Sequence, residues 1–168
     1  MSVLLRPRWP KSHQILSLAS AAAVARAIFT TTGITALLKW PNDVITQSLK
    51  IAGVLAEAGY QRGKLDHLIL GIGVNANVSM TLFPEGLRES VTSLSQELGR
   101  EVDRNLLTRR ILEEIDRFYF MFESGRSGEM LEEVKRLCST LGRSVRVTTT
   151  ESVFEGVALD LGEDGQLL

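Results

Sequence analysis

The chain has 168 residues, 44% hydrophobic and 23% charged, with a formal net charge of −1. That length supports one domain with a real hydrophobic core and at most a small appendage. The near-neutral balance excludes the strong positive field that draws proteins to nucleic acid or to an anionic membrane, so neither is expected as a partner.

Taken in chain order, residues 2–6 read as a short strand ended by Pro7. Arg6, Pro7 and Arg8 stand where a secretory signal would need an apolar run. Ile15, Leu18, Ala22, Ala25 and Phe29 then recur at helical spacing, which predicts a helix from about residue 12 to 32 with that stripe facing the core. Ala19, Ala22 and Ala23 let it lie close to a sheet, and Gly33 ends it. The apolar stretch is interrupted by Ser17, Ser20 and Arg26 and is expected to be too short and mixed to span a bilayer.

Strands are predicted over 35–39, 44–47, 50–58 and 65–74. The run from Leu68 to Val74 is nearly all apolar and is expected to be a central strand covered on both faces. Residues 80–89, with Pro84 and Gly86, read as loop. A short helix is predicted over 90–98, stopped by Gly99. A longer one is capped by Asp103 and lined by Leu107, Ile111, Ile115, Phe118 and Phe122. Met130, Leu131, Val134, Leu137 and Cys138 line a third. Cys138 is the only cysteine, so it has neither a disulfide partner nor the companions of a zinc site. A buried thiol in a cytosolic protein is expected. Beyond Leu141 the sequence turns β-prone, and Glu163-Asp164-Gly165 signals a hairpin turn.

Three segments carry candidate chemistry. Lys39-Trp40-Pro41-Asn42-Asp43 sets a cation, an indole, an amide and a carboxylate around a proline that fixes the backbone. Asp43 there is either a ligand for Mg²⁺ or a substrate amine, or a solvated turn residue. Trp40 is either part of the site or a core aromatic. Lys50 opens a strand that Gly53 interrupts, as glycine does where a ligand or another backbone comes close. The lysine is then a point charge for a phosphate or carboxylate, or an edge-strand lysine that blocks aggregation. Gly71-Ile72-Gly73-Val74-Asn75 ends a strand without the third glycine or the following helix of a dinucleotide fingerprint. An asparagine there can meet the polar edge of a nucleobase or simply start a turn.

These three segments, in this order and spacing, resemble the biotin protein ligase family. The resemblance runs through nearly the whole chain. It implies an α+β fold, a mixed β-sheet flanked by helices like that of class II aminoacyl-tRNA synthetases and biotin ligases, over residues 1–141. Residues 142–168 would be a partial SH3-like β piece. The implied reaction joins biotin to ATP as biotinyl-5′-AMP and passes the biotin to a lysine of a biotin carboxyl carrier domain, with ATP, Mg²⁺ and biotin as the small molecules. By the same resemblance, Lys50 and Asp43 are catalytic and Asp43 also holds the metal. Lys50, Gly53 and Leu55 bind biotin, and Lys39, Asn42 and Asn75 bind ATP and the adenylate.

The family also has a glycine- and arginine-rich loop over biotin and the phosphates. It has no counterpart in these residues, and no DNA-binding helix-turn-helix is present. The chain is therefore expected to be an internal portion of a ligase, weak or inactive by itself. The alternatives are a non-catalytic fragment, which could pair as a homodimer through a sheet edge, and a lipoate ligase-like protein.

Overall fold

A computed structural model describes residues 1–8, 13–149 and 152–168. Strands β1 (Ser2–Leu5), β2 (Leu37–Lys39), β3 (Asp43–Thr46), β4 (Leu49–Gln61) and β5 (Lys64–Val74) form one sheet in the order β1-β5-β4-β3-β2. The α+β class holds. Every strand pair in this sheet is antiparallel, and the parallel component of the expected mixed sheet is confined to two single bridges, Leu38 to Cys138 and Lys50 to Val91.

Helix α1 (Ile15–Thr32) packs on β2, β3 and β4 with one side and on α3 (Arg104–Glu123) with the other. This double cover corrects the single stripe read from the sequence. Ala19, Ala21, Ala23, Val24, Ala27 and Ile28 are buried along with Ile15, Leu18, Ala22 and Ala25, whereas Phe29 is 56% exposed. A helix that is apolar all round belongs between two layers, and the alanines allow both to approach closely. By length and composition alone α1 would pass for a membrane span; in the fold it is the central helix of the core. The expected start at residue 12 lies outside the described residues. Gly33 ends the helix at φ 79°, its N–H donating to the Phe29 carbonyl.

The α3 helix starts where expected, the Asp103 carboxylate accepting from the backbone N–H groups of Asn105 and Leu106. Helix α4 (Ser127–Leu137) packs against α1, α3 and β2, and Cys138 is buried just past its end rather than within it. The short helix α2 (Leu94–Leu98) begins later than expected because Ser90 closes a turn and residues 90–92 hydrogen-bond to Lys50 instead. Strands β6 (Ser144–Thr148) and β7 (Val153–Val157) make a separate two-stranded sheet. The predicted turn after it is present: Leu161 bridges Leu167 across Gly165, which has φ 83°. The β-prone position Thr150 lies outside the described residues.

One charged network ties the helices. Arg117 grips Glu133 of α4 with two bonds of 3.0 and 2.7 Å and donates to Glu114 at 3.1 Å, and Arg26 of α1 donates to the same Glu114 at 2.8 Å. The hydrogen bond from Arg117 is the main cause holding the Glu133 carboxyl below its ordinary value. A depressed carboxyl stabilises the fold above its unfolded-state pKa, and the contribution disappears as pH falls through the folded one. Glu133→Gln is therefore expected to cost roughly 1.5 kcal/mol near neutrality. The gap between parent and variant should close on acidification, measured as thermal midpoints across a pH series.

Candidate active site

The predicted covering of β5 on both faces is not what forms. Leu68, Leu70 and Ile72 are buried, while Gly71 and Gly73 look out from the other face, which lies open among the described residues. The sequence reads as continuously apolar because glycines fill the outward positions, and glycine covers nothing.

Residues directly opposite in an antiparallel pair share a face. The registers Asp43↔Gly53 and Gly53↔Gly73 therefore draw a row across three strands, with Leu55↔Gly71 as the row beside it. Two of the three side chains in the first row are missing. The result is a trench of about 440 Å³ floored by backbone and bounded by Asn42, Asp43, Lys50, Leu55 and Asn75.

A β-bulge places Lys50 in this trench. Val44 pairs with Ala52, but Ile45 pairs with Lys50, so Ile51 is an extra residue in β4. In an unbroken strand Lys50 would share the face of Ala52 and Val54, both buried. The extra residue turns it outward instead, and re-aiming a side chain is what bulges do beside many active sites. Its ammonium lies 2.5 Å from the Asp43 carboxylate, with the Lys50 side chain 45% exposed. Gly53 makes room for this pair. A Cβ there would stand 3.2 Å from Lys50 Cε, 3.3 Å from its Nζ and 3.4 Å from Asp43 Oδ1.

The flanking amides are fixed by backbone. Asn42 donates its side-chain N–H to the Val54 carbonyl at 2.8 Å, and Val54 N–H donates back to the Asn42 carbonyl at 3.0 Å. Asn75 donates its side-chain N–H to the Thr92 carbonyl at 3.0 Å. Sequence reasoning missed the segment behind this contact. Lys50 N–H donates to Ser90, and Thr92 N–H donates to Lys50, so residues 90–92 strap both Lys50 and Asn75. No local pattern marks a pairing between positions so far apart.

Lys39 does not line the trench. It faces a neighbouring cavity of about 420 Å³ that shares Asp43, Lys50 and Asn75 and is closed by Phe83 and Leu87. No ion-pair partner for Lys39 is present among the described residues. Trp40 does not line the trench: it packs on the core edge and donates its indole N–H to the Gly165 carbonyl at 3.0 Å. A larger cavity of about 530 Å³, between the start of α1 and residues 164–166, touches Asn42 and Leu55 but neither Lys50 nor Asp43. The trench is the better site because its Lys50–Asp43 pair stands over the bare backbone of Gly53, Gly71 and Gly73.

For a metal, Asp43 is the one carboxylate in the trench, and no cluster of three or more metal-binding side chains is found among the described residues. A single carboxylate suits Mg²⁺, which commonly takes one or two carboxylates and completes its shell with substrate phosphates and water.

The profile of the Biotin/lipoate A/B protein ligase family matches residues 1–75. The bifunctional ligase/repressor BirA of Bacillus subtilis is 34% identical over 172 residues, covering 100% of this chain and 52% of its own length. The biotin–[acetyl-CoA-carboxylase] ligase of Mycobacterium tuberculosis is 30% identical over 131 residues, 77% of this chain and 46% of its own. The chain thus spans about half the length of the curated relatives it matches. Among solved structures, the apo biotin protein ligase of Aquifex aeolicus superposes with a TM-score of 0.87 at 30% identity, covering 99% of this chain and 72% of that one. The same ligase in complex with biotin and ATP gives 0.86, covering 68% of that chain. The trench residues thus sit in a fold and a sequence shared with these enzymes, and the chain belongs to the biotin protein ligase family.

Proposed function

We propose that the trench binds biotinyl-5′-AMP and serves ATP-dependent transfer of biotin to a lysine of a biotin carboxyl carrier domain. One observation carries the reading: a lysine–carboxylate pair stands over a glycine-floored trench that ends at Asn75. The biotin carboxylate attacks the α-phosphorus of ATP and pyrophosphate leaves. The carrier amine then attacks the acyl carbon of the mixed anhydride and AMP leaves. Both steps concentrate negative charge on oxygens, and a fixed cation stabilises the transition state in which that charge grows.

Lys50 is that cation, shared between the biotin carbonyl and the phosphate. Gly53 lets the acyl chain approach the backbone, and Leu55, 60% exposed, offers it an apolar wall. Asn75, its N–H committed to Thr92, turns its carbonyl oxygen toward the purine. Lys39 and Asn42 attend the nucleotide. Asp43 orients Lys50, receives the incoming amine and holds Mg²⁺, which supplies Lewis-acid neutralisation of the phosphates. Residues 1–141 are the catalytic part and 142–168 the SH3-like part. A cytosolic setting and a homodimer through the β1 edge belong to the same proposal; residues 138–140 already cover β2.

The 168 residues hold no glycine–arginine loop, and each charge-assisted bond such a loop makes is worth roughly 1.5–3 kcal/mol. Weak binding and little turnover by this chain alone follow. Titration calorimetry of the purified chain with biotinyl-5′-AMP, lipoyl-AMP and AMP tests the assignment. Saturable heat is expected with biotinyl-5′-AMP at the lowest concentration of the three. A folded chain that binds lipoyl-AMP more tightly, or none of them, refutes it.

A further inference from the structure

We propose that Trp40 is a positioning residue that makes the Lys50–Asp43 pair depend on the docking of the C-terminal turn. Asn42 ends the connection between β2 and β3, and Asp43 opens β3. Strand β2 is a three-residue edge strand, and so short an edge has little cohesion of its own. On the inner side the connection is held by the two Asn42–Val54 bonds.

On the outer side every tie comes from the last third of the chain. Ser139 donates to the Leu38 carbonyl through its N–H at 2.8 Å and its hydroxyl at 3.0 Å. Thr140 Oγ1 accepts the Trp40 N–H at 2.9 Å, and the Gly165 carbonyl accepts the indole N–H at 3.0 Å. Gly165 is fixed in turn. Its φ is 83°, and a Cβ on it would fall 2.6 Å from Leu18 Cδ1. The turn therefore seats against Leu18 of α1 in a conformation that suits glycine, and presents one carbonyl to the indole. An indole N–H can only donate, so this bond determines where the ring sits. Pro41 follows directly and leaves the backbone little freedom between the ring and Asp43.

The test is Trp40→Phe, which keeps an aromatic ring and deletes the donor. Amide hydrogen exchange on the 168-residue chain reads the effect. The Val54 N–H, bonded to the Asn42 carbonyl, should lose about tenfold in protection, while the amides of β5 keep theirs. Gly165→Ala, strained at that positive φ and crowding Leu18, should give the same local signature. Unchanged protection at Val54 in Trp40→Phe, or an equal loss throughout the sheet, overturns the proposal. The catalytic half rests on the function proposed above. Where biotinyl-5′-AMP formation is measurable, kcat should fall about tenfold with KM for biotin held within about twofold; a KM effect alone counts against it. Calorimetry of the parent chain with biotinyl-5′-AMP decides the function, and the exchange result alone decides the coupling.

Discussion

Replacing Lys50 by methionine is expected to weaken biotinyl-5′-AMP binding by about ten- to a hundredfold and to leave thermal unfolding nearly unchanged. The size follows from one or two hydrogen bonds to a charged group, roughly 1.5–3 kcal/mol. The small effect on stability follows from exposure: the side chain is 45% accessible, and an ion pair so open to water contributes little to folding. Where turnover is measurable, adenylate formation should drop further, by about 10² to 10³, because the ammonium meets more charge in the transition state than in the ground state. Calorimetry with biotinyl-5′-AMP, alongside circular dichroism melts, checks both halves. Equal affinity in parent and variant would remove Lys50 from the site, and a collapsed melt would make it a structural residue.

The second large effect is expected at Gly53. The space over this residue is where the Lys50 and Asp43 side chains meet, and an added Cβ would press on both at 3.2–3.4 Å. Gly53→Ala should weaken adenylate binding by at least about tenfold, by shifting a flexible lysine end by a few tenths of an ångström. Gly53→Val should abolish measurable binding, because two further methyl groups fill the trench floor. The fold should tolerate both, since β-branched residues suit strands and glycine does not. The graded series separates a trench from a mere strand position: a valine variant that binds like the parent would show that no ligand passes over residue 53.

Much of this architecture was readable in the sequence, and what was readable was local. Asp103 announced the start of α3, Gly33 the end of α1, and Glu163-Asp164-Gly165 the last turn, because caps and turns are decided within a few residues. The trench was legible only as a set of residue types. Lys50 was read as the start of β4, yet its orientation depends on Ile51 being supernumerary, which is a property of the β3–β4 pairing and not of either strand. Gly71 and Gly73 were visible, but a run of apolar letters disguised an open face as a covered one. Phe29 fell on the helical stripe of α1 and still points outward, because α3 rather than the stripe decides which sides of that helix are buried. The 90–92 strap had no signature at all, being a single parallel bridge to a distant strand.

The supernumerary Ile51 has a practical corollary for anyone moving this chemistry elsewhere. The ammonium's heading is encoded by a residue count, not by a residue type, so a transplant that copies lysine, aspartate and glycine onto a regular hairpin would aim the charge into oil. A pairing that took Ile51 into a regular ladder would do the same here, with every reactive letter still in place.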